Sequence, residues 1–385
     1  MTAPARGTAH AAAWALMLGN FVVGLAVVAP AGMLRPIADD LSVSIRDAGL
    51  LVTLGAVVLC IGSPLVAWAT NAMGRRALMA GTLALLALCH AASGFAPDYA
   101  TLLILRLVTM AVAAVYTPLA ASTIGLIVPE HERASRISFV FLGWSLALAF
   151  GLPLATFIAE FVGWRATMAV QGVAAAASFV LLWAGLPNGL RGAALSLASW
   201  GAIARNPRIH LLLLVTLLWN AGLYSVFPYL VPLLGSLAGA GAQTAAVLFG
   251  TMGVLGFVGN VAATRGVGTL GPYRTALAST ACLAMGGLAW AFGAGVLPAM
   301  ASTMVLWGLG FAATHSMIQA RLVAAAPPLA SATVALNTSW LYIGQAIGAG
   351  LGGELFAREA LLTMGYAAAV FMVACFVTAA LTRDS

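Results

Sequence analysis

The chain has 385 residues, of which 62% are hydrophobic and only 7% charged. Soluble domains carry roughly 25% charged residues, so a water-facing surface cannot be built from this composition and most of the exterior must face lipid. All seventeen basic residues are Arg, and they are scattered between apolar runs, so the net charge of +7 implies no basic patch and no nucleic-acid partner.

A helix needs about 20 apolar residues to cross a bilayer. Twelve runs meet that length, near 11–34, 48–69, 77–96, 99–124, 136–159, 165–186, 209–234, 244–264, 274–294, 297–320, 332–353 and 362–382. The expected fold class is therefore an all-α membrane protein with twelve transmembrane helices. The shortest breaks, at Pro97-Asp98 and before Pro298, predict tight helical hairpins. The first run is too long for a signal-peptide core and has no A-x-A cleavage site, so no cleaved leader is expected.

Arg placement sets the orientation. With a cytoplasmic N-terminus, the inside segments hold Arg6, Arg75, Arg76, Arg133, Arg136, Arg191, Arg205, Arg208, Arg265, Arg274, Arg321 and Arg383. The outside segments hold only Arg35, Arg46, Arg165 and Arg358, and Arg106 falls within a span. Both termini are expected in the cytoplasm, with the chain in a bacterial inner membrane. The longest break, "PNGLRGAALSLASWGAIARNPR" at 187–208, divides the runs six and six. This predicts bundles at 1–186 and 209–385 joined by a linker, in which Ser196 to Arg205 could form a surface amphipathic helix. Cys60, Cys89, Cys282 and Cys375 lie singly inside apolar runs without metal spacing, and no metal or cofactor is expected.

The two halves resemble each other weakly. Gly74 in "MGRR" pairs with Gly271 in "LGPYR", and Ala147 and Gly151 pair with Gly344 and Gly348. Small residues recur every four positions at Gly143, Ala147 and Gly151 and again at Gly344, Gly348 and Gly352, a spacing that lets helices approach closely. A duplicated six-span unit points to a rocker-switch transporter with its substrate held between the halves. Abundant Gly and Ala could produce one such stripe by chance.

Three stretches carry a family resemblance: "RPIADDLSVSIRDAGLLVTLGAVVLCIGSPLVAWATNAMGRR", "GLPLATFIAEFVGWRATM" and "LWGLGFAATHSMIQARLVAAAPPLASATVALNTSWLYIGQAIGAGLGG". Over nearly its whole length the chain resembles the major facilitator superfamily, and within it the bacterial drug:proton antiporters and arabinose or sugar-efflux-like permeases. "NAMGRR" matches the family's G-x-L-a-D-r-x-G-R-R/K element, with Asn71 at the Asp position, Ala72 at the following Arg and Ala67 at the first Gly. The resemblance implies a gating role for Asn71, Gly74, Arg75 and Arg76, with a weakened inner latch because Asn71 has no charge. Gly74 is expected to permit a tight turn, and the two Arg to anchor at the anionic leaflet. The alternative is a plain positive-inside turn. Gly151 and Pro153 stand in a degraded form of the family's antiporter Gly/Pro element, where Ala155 replaces a usual Gly; this tilts the reading toward export.

Arg106 matches the lone Arg of the family's R-x-x-q-G element, with Thr109 and Met110 replacing Gln and Gly. It either faces the bundle interior or snorkels outward. Relatives often carry an acid where Val27 stands, and all ten acids here lie in loops or at span ends. The expected cargo is thus a small neutral or anionic molecule. Substrate-lining candidates are Arg106, Asn20, Tyr116, Asn220, Tyr224, Trp307, His315, Gln319 and Asn337, each of which could instead be an interhelical hydrogen-bonding residue. His315 could titrate near neutral pH and couple protons. The expected protein is a secondary transporter, an exporter or alternatively an importer of a small anion or metabolite, acting as a monomer in the lipid bilayer. An intramembrane enzyme would need a nucleophile–base pair or HExxH, GxSG or Walker motifs, and none occurs. A signalling protein would usually append a soluble domain.

Overall fold

The structure is a computed structural model that describes residues 6–69, 73–129, 133–190, 206–326 and 330–383. The described residues are helical, with no strand among them. The first span, α1 (Arg6–Val28), tightens into a 3-10 turn at Ala29–Gly32 and leads to a short α2 (Leu34–Asp40). Next come α3 (Ile45–Ala69), α4 (Arg75–Gly94) and α5 (Tyr99–Ile127). The fifth span joins α6 (Arg133–Leu146), a π turn at Ala147–Gly151 and α7 (Leu152–Phe161); α8 (Trp164–Gly185) follows. After residue 206 come α9 (Pro207–Tyr224), a 3-10 turn at Phe227–Tyr229 and α10 (Leu230–Ala238). The chain ends with α11 (Ala242–Gly293), α12 (Leu297–Ala325), α13 (Ala330–Ala357) and α14 (Leu361–Leu381).

Among the described residues, ten segments are long and apolar enough to cross a membrane. One is the 52-residue α11, whose backbone leaves helical geometry at Gly271. At 1.5 Å per residue it would extend about 78 Å, more than twice a bilayer core of about 30 Å. It therefore accounts for both the eighth and ninth runs. The 28-residue α13 matches the eleventh. Side chains such as Leu88, Phe150 and Phe292 stand exposed on the outer faces, where lipid would cover them.

Local sequence explains the helix starts. Ser44 and Asp47 form a capping pair: Ser44 Oγ donates to Asp47 Oδ2 at 2.7 Å and accepts from the Asp47 N–H at 3.0 Å. Asp98 caps α5 by accepting from the Thr101 N–H at 2.8 Å, which makes the Pro97-Asp98 hairpin abrupt. Asn206 caps α9, with Pro207 in the first turn.

The two small-residue stripes do equivalent work. A Cβ at Gly143 would collide with the Met17 carbonyl of α1, and Gly151 faces Phe21 and Leu25. Cβ atoms at Gly344, Gly348 and Gly352 would collide with the Leu217, Ala221 and Ser225 carbonyls that end α9. The fifth span thus packs on the first as the eleventh packs on the seventh. In packing register Gly143 is the counterpart of Gly344, one turn away from the pairing of Ala147 with Gly344 read from sequence.

Two further seams join early helices to late ones. α3 packs along α13, and the π turn with α7 packs along the first part of α11. In the second seam a Cβ at Gly253 would collide with the Ala149 backbone. The backbones touch there.

Candidate functional site

The break in α1 builds a charged site within the spans. Pro30 has no N–H, so the Ala26 carbonyl four residues earlier loses its helical partner. Arg106 of α5 replaces it: Nη1 donates to the Ala26 carbonyl, Nη2 to Val27 at 3.1 Å and Nε to Leu51 of α3 at 3.0 Å. Gly55 leaves the room, since a Cβ there would stand 3.3 Å from Nε. Only 7% of Arg106 is exposed, which favours the interior reading over snorkelling. Its charge faces carbonyl dipoles at the end of a helix, the end that favours cations. No carboxylate among the described residues pairs with it.

Asn20 and Tyr116 lie in the same group of helices and are occupied by structural bonds. Asn20 Nδ2 donates to the Val140 carbonyl at 3.1 Å, and its Oδ1 accepts from Thr117 at 2.8 Å. Tyr116 fills the space beside Gly19, with its hydroxyl 3.5 Å from the Leu16 carbonyl.

A second cluster forms where α9, α12 and α13 meet. Thr216 donates to Asn337 Oδ1 at 2.6 Å, and Asn220 Nδ2 donates to the Thr216 carbonyl at 3.0 Å. His315 Nε2 lies 2.9 Å from Gln319 Nε2, one turn along α12. The His315 ring meets Trp219 edge-on at 6.3 Å. Three atoms of this cluster are buried without a partner among the described residues: His315 Nδ1, Trp219 Nε1 and Asn337 Nδ2. Such atoms cost free energy unless a ligand or water satisfies them. Trp219 was not singled out from the sequence, where an indole beside Asn220 looks like any other apolar helix residue. Tyr224 packs against Phe227 at 5.7 Å. Trp307 is drawn away from the cluster: it donates to the Leu283 carbonyl at 3.2 Å and stacks on Trp290.

The "MGRR" segment departs from expectation. Gly74 caps α4 at φ −65°, and a Cβ there would meet nothing within 4 Å, so no tight turn requires glycine. Its repeat partner Gly271, at φ 77°, does occupy the left-handed region. Arg75 is buried, and its N–H donates to the Leu190 carbonyl at 3.0 Å; Arg76 lies 4.6 Å over the Trp183 ring. Both pack against the end of α8 and its following turn. Asn71 lies outside the described residues, as does 196–205 of the expected surface helix. Of the Gly/Pro pair, Gly151 faces Phe21 and Leu25 of α1, while Pro153 meets α11, where a Cβ at Gly250 would stand 3.4 Å from Pro153 Cγ.

At the end expected outside, α3 is clasped to later helices. Arg46 pairs with Glu354 of α13 at 2.9 Å, and Arg358 braces the same carboxylate at 2.8 Å. Gly49 accommodates the Tyr229 hydroxyl, which donates to the Ala349 carbonyl at 2.9 Å. The hydrogen bond from Arg358 and the charge of Arg46 hold the Glu354 carboxyl below its usual range, so this clasp stays ionised at neutral pH.

The Major Facilitator Superfamily profile covers residues 16–349. The chain belongs to that superfamily of membrane transporters. It is 30% identical over 89% of its length to the inner membrane transport protein YdhP of Escherichia coli K12, covering 87% of that protein. It is 27% identical over 91% of its length to a probable sugar efflux transporter of Mannheimia succiniciproducens, covering 88% of it. Its fold superposes on the nucleoside transporter NupG with a TM-score of 0.78 at 11% identity, covering 98% of this chain and all of that one. The human organic anion transporter MFSD10 superposes with a TM-score of 0.75 at 15% identity, covering 98% of this chain and 99% of that one.

Proposed function

We propose that this transporter is a secondary exporter of a small neutral or anionic solute, working by alternating access of two bundles, 1–186 and 209–385, about the linker 187–208. Both termini lie in the cytoplasm, and the bacterial inner membrane is its site. One observation carries the reading of the cargo: Arg106 is a charge buried inside a described span, and no carboxylate among the described residues pairs with it. A cation in the cavity would need a carboxylate to offset its desolvation, about 2.5–3.5 kcal/mol at the least. The α9–α12–α13 cluster instead offers donors and acceptors without charge, the chemistry that suits hydroxyls, amides or a delocalised anion. Asn220, Tyr224, His315, Gln319 and Asn337 contact the solute in this reading, with Trp219 added, while Asn20, Tyr116 and Trp307 hold helices in place. The name of the Mannheimia relative, a probable sugar efflux transporter, supports export and a neutral cargo.

Solute exchange couples to protons through His315, the titratable group of the cluster. Proteoliposomes with an imposed pH gradient, screened over radiolabelled sugars and small carboxylates, test the whole reading. Uphill movement of at least one neutral or anionic compound, lost when the gradient is collapsed, is the expected result. Flux of such compounds that ignores the gradient would remove proton coupling, and flux confined to cations would remove the cargo class.

A further inference from the structure

Beside Arg106, a cavity of about 20 Å³ is lined by residues of α1 to α5 and α8 and of the turn after α1. His90, Ser93, Arg106, Thr109 and Gln171 line it beside Pro30. His90 and Gln171 are each only 3% exposed, and His90 Nε2 and Gln171 Nε2 have no partner among the described residues. Ser93 and Thr109 spend their protons elsewhere, donating to the Cys89 carbonyl at 2.7 Å and the Leu105 carbonyl at 2.6 Å. The unpartnered buried atoms among the residues lining this cavity are therefore the Gln171 amide nitrogen, which donates, and a His90 ring nitrogen, which donates in one neutral tautomer.

A guanidinium held in a low-dielectric interior by carbonyl dipoles alone keeps its full charge, and a buried charge is costly until an opposite charge joins it. We propose that this cavity is a buried halide site, taking a chloride-sized monovalent anion as the counter-ion of Arg106, with Gln171 and His90 as its neutral donors. Size restricts the ligand. A water needs about 10–15 Å³ measured in this way, so a space of about 20 Å³ suits one small monovalent ion. The site is thus distinct from the cargo cluster, and it does not depend on the direction or chemistry of export. Bound there, the ion would lock Arg106 onto the broken end of α1 and hold α1, α3 and α5 in one arrangement.

Thermal unfolding of the purified protein in detergent tests this, using sodium chloride or sodium bromide against sodium gluconate at constant ionic strength. The unfolding midpoint should rise saturably by a few degrees with either halide and stay flat in gluconate, as ligand linkage requires. Gln171→Leu should remove the halide response. Should that variant fail to fold, crystals of the unaltered protein grown in bromide give the same decision. Anomalous signal within hydrogen-bonding distance of His90 Nε2 and Gln171 Nε2 supports the site. Halide-independent unfolding, or density there without bromide signal, which is a water, overturns it.

Discussion

Around Arg106, three helices are tied by guanidinium bonds to the Ala26, Val27 and Leu51 carbonyls. Around Trp219 and His315 no charged group takes part, and three buried polar atoms are left without a partner among the described residues. Yet the two regions hang on matched packing: Gly143 meets α1 much as Gly344 meets α9. The backbone contacts are alike in the two regions, and the polar contents differ. In the function proposed above, the first region is a charged joint in the scaffold and the second a neutral surface for the solute. The contrast can be broken by showing that either region does the other's work.

The largest effect is expected at the joint. Arg106→Ala should abolish transport and also destabilise the fold, at about 1–3 kcal/mol for each buried carbonyl left without a donor. Arg106→Lys keeps the charge but not the three-way fork, and should retain part of the flux. Flux and unfolding midpoint measured on the same preparations decide the matter; normal stability in Arg106→Ala would show that the residue serves the cargo alone.

In the neutral cluster the two readouts should separate. His315→Ala is expected to cut flux at least tenfold while the unfolding midpoint moves by little, because the ring makes one bond, to its own helix neighbour Gln319. A loss of stability comparable to that of Arg106→Ala would erase the distinction between the regions.

The shared packing is testable by glycine pairs. Gly344→Ala forces a methyl into the Leu217 carbonyl and should cost about 1–3 kcal/mol, the usual penalty of overpacking. Gly143→Ala should cost a similar amount against Met17. Gly74→Ala, in open space at an ordinary φ, should stay within about 0.5 kcal/mol. Unfolding midpoints of the three variants give the comparison.

The smallest expected effect is electrostatic and lies outside the spans. Hydrogen bonds from Arg165 and then Trp164 lower the Asp40 carboxyl below its ordinary value. A carboxyl with a lowered folded pKa contributes stability above that ordinary value and loses it as the pH falls through the folded one. Asp40→Asn should therefore cost about 0.2–1 kcal/mol, as for a partly exposed pair, evenly between pH 5 and 8. The difference should begin to shrink below about pH 4 and vanish once the pH has fallen through the lowered folded value. Unfolding midpoints of the two proteins across that range check it.

Much of the scaffold was readable before any coordinates, because lipid demands long apolar runs and the runs survive as helices within a few residues. The burial of Arg106 was readable too, since a charge seven residues inside a span has few places to go. Its partners were not. Nothing in "GLAVVAP" announces that Pro30 frees the Ala26 carbonyl for an Arg on another helix; that follows only from how α1 and α5 cross. The role of Gly74 was misjudged because a glycine beside two Arg looks like a turn, whereas the residue whose backbone needs glycine is its repeat partner Gly271. Trp219 and Trp307 show the same limit in opposite directions. Indole rings look alike in sequence, and packing alone decided that Trp307 stacks in a seam while Trp219 faces His315.

The central claim is that a membrane interior with a buried Arg and no described carboxylate carries neutral or anionic cargo. Ethidium efflux from cells producing the protein, compared with cells carrying an empty vector, tests it most directly. The expected result is no protein-dependent efflux of this lipophilic cation. Robust ethidium efflux that persists in Arg106→Ala would contradict the account.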